Sequence, residues 1–252
     1  MRENSMQPLI AGNWKMNGLG AQLPVIEAVA ARVLAEAPAV DVLLCVPATL
    51  LWRAAESAAG RILIGAEDCS ADIAGAYTGD ISVAMLKDAG AAVVIVGHSE
   101  RRQHHGETDA LVASKAKAAW RGGLKSIICI GETASQRKDG AALSVCAAQI
   151  EGSVPVDMPL TGNEVAYEPL WAIGTGDVPT PQQIEEMHRH IRACLLARLG
   201  AHATSVRILY GGSVKPANAR EILALDEVGG ALVGGASLAA ADFNGIIREA
   251  RH

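Results

Sequence analysis

Short apolar runs, rich in β-branched residues, recur along the chain every 25 to 45 residues, with polar and Gly-rich stretches between them. Eight are distinct: 8–14 (PLIAGNW), 40–47, 61–66, 91–98, 125–132, 164–169, 207–212 and 230–235. Each has the length of a buried strand rather than of a helix. Most are accompanied by an Ala-rich stretch with helical spacing, such as 23–37 and 111–120. The clearest helix covers 180–199. Thr180 supplies an N-cap, Pro181 suits the first turn, and Gln183 completes a capping box. Ile184, Met187, His188, Ile191, Cys194 and Leu195 then form one stripe.

Eight strands alternating with helices predict a closed (β/α)8 barrel or an open doubly wound sheet. The Gly-rich stretch 18–23 lacks the third glycine of a dinucleotide fingerprint and does not directly follow a strand, and no phosphate-binding P-loop occurs. No linker or composition shift marks a boundary, so residues 1–252 read as one α/β barrel domain of 252 residues.

Composition sharpens this picture. Half the residues are hydrophobic and 3% aromatic, mostly aliphatic side chains of the kind that fill parallel strands covered by helices. A net charge of -5 offers no general attraction for nucleic acid or anionic lipid, so an anionic substrate must be held by local groups. The five cysteines include no CxxC pair and read as small buried hydrophobes of a reducing compartment. The stretch MRENSMQPLI has no apolar leader core and no run reaches membrane-span length, which predicts a cytoplasmic protein.

In a barrel of this type the C-terminal strand ends form the active-site rim. Asn13 and Lys15 follow strand 1, His98 strand 4 and Glu168 strand 6, while Gly211–Gly212–Ser213 and Gly234–Gly235 follow strands 7 and 8. Taken singly, Lys15 reads as a surface lysine, His98 as a core or loop histidine, Glu168 as a helix start or ion pair, and the glycines as turns. Together they place a base, a hydrogen-bond donor, a cation and an anion cradle on one rim. That set fits enolisation of a small phosphorylated carbonyl compound. His104–His105 and His188/His190 share no chelating face, HExxH and GxSxG are missing, and neither a metal nor another cofactor is expected.

GNWKMN (12–17), GAYTGD (75–80), VGHSERR (96–102), CIGE (129–132), YEPLWAIGTG (167–176), YGGSV (210–214) and LVGGASL (232–238) resemble, in order and spacing, the motifs of the triosephosphate isomerase family. The resemblance runs from residue 8 onward. It implies a barrel enzyme interconverting dihydroxyacetone phosphate and glyceraldehyde 3-phosphate through an enediol(ate). It further implies Glu168 as base, His98 as electrophile, Asn13 and Lys15 as substrate contacts, and Gly174, Ser213, Gly234 and Gly235 as phosphate ligands. A homodimer joined through the loop around Thr78 is implied as well.

On that resemblance residues 169–176 are expected to form a lid that carries Ile173 over the base. Desolvation is expected to raise the basicity of Glu168, and helix amides after His98 to keep its ring neutral. Glu100 resembles a further site residue, with a structural role equally open. Leu170, Glu67–Asp68 and Asp80 depart from the usual Val, Gln-Asn and Glu. Two other readings stay open: a metal-dependent epimerase barrel for a phosphorylated sugar, and a barrel kept as a non-catalytic scaffold.

Overall fold

The computed structural model describes residues 7–172 and 178–250. Eight parallel strands close on themselves in sequence order, each bonded to its neighbour and the last to the first. They are β1 (Leu9–Asn13), β2 (Asp41–Val46), β3 (Leu63–Ala66), β4 (Val93–Val96), β5 (Lys125–Ile130), β6 (Glu164–Tyr167), β7 (Ile208–Tyr210) and β8 (Gly230–Val233). Every expected run contains one of these strands. The runs extend beyond them mainly because residues past the last ladder bond belong to the rim.

Helices α1 (Leu23–Glu36), α2 (Leu51–Ala58), α3 (Val83–Asp88), α4 (Ser99–His105), α5 (Asp109–Arg121), α6 (Ala134–Lys138), α7 (Ala142–Ser153), α8 (Pro181–Leu199), α9 (Pro216–Leu223) and α10 (Ala240–Glu249) lie along the connections. The start of α8 has the expected box: the Thr180 side chain accepts from the Gln183 amide, and the Gln183 side chain accepts from the Thr180 amide. Ile184, Met187, His188, Ile191 and Leu195 are buried, and Cys194 is partly so.

Strand alternation separates two apolar regions. Leu9, Ala11, Leu43, Cys45, Val93, Ile95, Ile127, Cys129, Ala166, Leu209 and Leu232 fill the barrel interior. Ile10, Leu44, Val94, Val96, Ile128, Val165 and Tyr167 face the helices and join their apolar stripes. A period of two residues thus sorts each strand between inside and outside. The same period points Asn13, the last residue of β1, and Glu168, just past β6, inward at the rim.

Candidate active site

Glu168 follows β6 on the inward parity and is almost fully buried. Its carboxylate accepts three hydrogen bonds. His98 Nε2 lies 2.8 Å from Oε1, the Ser99 amide donates to Oε2 at 3.0 Å, and the Ser99 hydroxyl donates to Oε1 at 3.2 Å. Burial works against the charged carboxylate, but the His98 ring and the Ser99 amide outweigh it and hold Glu168 below its ordinary pKa. Desolvation acts in the expected direction, and the donors onto which the side chain is turned outweigh it in this arrangement.

Alternation would send His98 outward, in line with Val94 and Val96. Gly97 prevents this. Its φ of +67° is left-handed, and an added Cβ would meet both Val112 methyls at 2.7 Å, so only glycine fits the reversal. Arg102 Nε donates to the Gly97 carbonyl at 2.8 Å and ties the turn to α4. His98 caps that helix: its Nδ1 accepts from the Glu100 amide at 3.3 Å. With Nδ1 accepting, Nε2–H is the donor toward Glu168. Burial lowers the pKa of the ring, yet the Glu168 carboxylate more than offsets this and leaves His98 above its ordinary value.

Beyond β1, Lys15 adopts φ 56°, a left-handed conformation supported by its amide donating to Asn13 Oδ1 at 3.1 Å. Lys15 Nζ lies 2.6 Å from Glu100 Oε1. The other oxygen of Glu100 is 3.7 Å from His98 Nδ1, so Glu100 stands between the cation and the imidazole. Trp14 Nε1 donates to the Ser237 carbonyl at 3.1 Å and joins this rim to the turn after β8.

Asn13, Lys15, His98, Glu168, Gly211–Lys215 and Gly234–Ala236 line a cavity of about 280 Å³, on the scale of a small phosphorylated molecule. The two glycine pairs differ in purpose. The Gly211 amide is spent on the Tyr167 carbonyl at 2.7 Å, which corrects its reading as a free anion donor. Its missing side chain instead admits Glu168, whose Cγ would lie 2.9 Å from a Cβ there. Gly234 and Gly235 face open space, with Lys15 Cε 3.8 Å from a Cβ at Gly234. The Ser213 hydroxyl donates to the Ala172 carbonyl at 3.2 Å. Gly174, together with Ile173 and Gly176, lies outside the described residues.

Two groups near Glu168 were not singled out from the sequence. Ser99 was visible only as part of GHSER. Glu132 ends CIGE and, fully buried, accepts from Tyr167 Oη, Trp171 Nε1 and Arg137. A charge closing an apolar strand was the available signal, the same one that marked Glu168. The departures also find places. Asp68 pairs with Lys115 and Arg101. Glu67 Oε1 is buried without a hydrogen bond, and burial pushes the Glu67 carboxyl up to about 8. Asp80 accepts from the Ser70 hydroxyl.

Among the described residues, no group of three or more His, Cys, Asp or Glu side chains could hold a metal ion. Nor is any helix there long and apolar enough to cross a membrane.

The family model described as triosephosphate isomerase matches residues 8–250. A protein of that name from Ruegeria pomeroyi is 59% identical over 241 residues, covering 95% of each chain. Its namesake from Rhodopseudomonas palustris is 54% identical over 242 residues, covering 95% of this chain and 96% of its own. The crystal structure of triosephosphate isomerase from Bartonella henselae superposes with a TM-score of 0.91 at 46% identity, covering 98% of this chain and all of that one.

Proposed function

The chain belongs to the triosephosphate isomerase family, and from that premise we propose how its own residues interconvert dihydroxyacetone phosphate and D-glyceraldehyde 3-phosphate. The observation that carries the reading is the contact between His98 Nε2 and Glu168 Oε1 at 2.8 Å, in the wall of a cavity that also holds Lys15 and the Gly234–Gly235 turn. It puts a proton acceptor and a hydrogen-bond donor within reach of one small molecule.

The substrate carbonyl takes the place of Glu168 as acceptor for the His98 Nε2–H, and the carboxylate leaves the Ser99 donors. Its basicity then rises, since burial no longer works against three hydrogen bonds. Glu168 removes the C1 proton of dihydroxyacetone phosphate. The C–H electron pair forms a C1=C2 double bond, and charge passes to the C2 oxygen. The His98 N–H and Lys15 Nζ stabilise that oxygen. Returning a proton to C2 and moving the hydroxyl proton from O1 to O2 gives the aldehyde. Asn13 holds the Lys15 turn, and amides of Ser213, Gly234 and Gly235 cradle the phosphate. No metal or cofactor takes part in this scheme.

The reading extends to a second copy of the chain. Residues 72–80 are exposed throughout, with Ile73 77% and Met16, directly after Lys15, 98% accessible. Apolar side chains so exposed beside a catalytic loop favour a homodimer joined through the loop around Thr78. Buried free cysteines fit a cytoplasmic location.

A coupled isomerase assay in the presence of a chelator tests the function. Glu168→Gln should keep the fold and lose about 10²–10⁴ in kcat. Near-normal turnover by pure Glu168→Gln protein would remove Glu168 as the base.

A further inference from the structure

Glu168 sits on a span whose two ends are held by one other carboxylate. On one side, Tyr167 Oη donates to Glu132 Oε1 at 3.1 Å. On the other, Trp171 Nε1 donates to the same oxygen at 2.9 Å, and the Leu170 amide donates to the Glu132 carbonyl at 3.1 Å. Between them the Glu168 amide is fixed to the Ile130 carbonyl at 2.8 Å. Pro169 restricts the backbone between the base and the Trp171 anchor. A displaced Trp171 is therefore transmitted to Glu168.

Glu132 is completely buried. A buried carboxylate keeps its charge when a cation neutralises it. Arg137 supplies that cation from α6, with Nη1 3.0 Å from Glu132 Oε1. Its guanidinium also lies over the Trp171 ring, 4.9 Å from the centroid. One side chain thus grips both the indole, by a cation–π contact, and the acceptor of the indole N–H. The capping box of Thr133 and Gln136 fixes the start of α6 and so aims Arg137.

We propose that Arg137 is a positioning residue for Glu168, acting through Trp171 and Glu132. It touches neither the cavity nor the reacting groups. Without its charge, Glu132 is a buried carboxylate with no cation beside it, and it either turns toward other donors or draws in water. Both outcomes weaken its grip on Trp171, and the base loses its fixed relation to His98.

The inference rests on Glu168 being the base, and the test keeps the two apart. Full-length protein is labelled with 5-fluorotryptophan. Its four tryptophans give four ¹⁹F signals, and Trp171 is assigned by its loss in Trp171→Phe. Arg137→Gln should move the Trp171 signal selectively and lower kcat about tenfold, with KM within about twofold of wild type. Arg137→Lys returns the charge and should restore most of both. A purely structural role would lower thermal stability and leave kcat and the Trp171 signal in place. That result overturns the proposal, as does a fall in kcat with an unmoved Trp171 signal. An active Glu168→Gln enzyme would instead remove the base assignment, while the Trp171 response would still report on the clamp.

Discussion

At the scale of single residues, the environment decides what a side chain does. His188 belongs to the apolar stripe of α8 and is completely buried. Tyr167 meets it edge-on at 5.9 Å and Tyr210 lies at 6.3 Å. Its Nδ1 lies 3.1 Å from the Glu227 carbonyl, and the Arg192 charge also acts on the ring. Burial, only partly offset by that carbonyl, lowers its pKa from 6.5 to about 4. The folded chain therefore binds fewer protons at this site than the unfolded chain between those values. Its contribution to stability is complete above pH 6.5 and is lost as pH falls toward 4. The full effect is on the order of 3 kcal/mol. Urea unfolding of wild type and His188→Gln across this range should show a shallower pH slope in the variant. Parallel slopes would contradict the assignment.

At the scale of elements, the joint between β4 and α4 sets the geometry between His98 and Glu168. Strand periodicity would direct His98 to the helices, and the left-handed Gly97 redirects it to Glu168. Gly97→Ala must accept a conformation costing an L-residue about 1–2 kcal/mol. It also meets the Val112 methyls at 2.7 Å, and such overpacking costs about 1–3 kcal/mol. Denaturant melts should therefore show a loss of about 2–5 kcal/mol, the sum of those two ranges. In the folded fraction kcat should fall more than KM rises. Wild-type stability would mean that the joint relaxes around the methyl group.

At the scale of the whole molecule, barrel closure turns sequence distance into proximity. Asn13 and Gly235 are at opposite ends of the chain, yet β1 pairs with β8 and both line one cavity. The proposed homodimer would extend the same principle to a second chain. Met16→Asp and Ile73→Asp each place a charge on the exposed apolar surface beside Lys15 or on the 72–80 loop. Both should shift sedimentation toward monomer and reduce activity in parallel with dissociation. A fully active monomer at assay concentration would exclude a role for the second copy.

The sequence alone determined the elements and most of the rim. Hydrophobic runs fixed eight strands because burial on both faces demands apolar residues throughout, and capping residues fixed the start of α8. Glu168, His98, Lys15 and Asn13 were visible as polar residues ending apolar strands, and the motif resemblance suggested the roles proposed for them. Only the tertiary structure decided how they meet. The Ser99 donors and the low pKa of Glu168 arise from contacts across β4 and β6. The use of the Gly211 amide depends on a carbonyl in another strand. The Arg137–Trp171–Glu132 clamp joins the stretch 132–137 to Trp171, 39 residues on from Glu132, a separation that carries no local signal. Side-chain polarity and backbone propensity are properties of nearby residues and can be read along the chain. Hydrogen-bond partners and pKa values depend on distances that exist only once the barrel has closed.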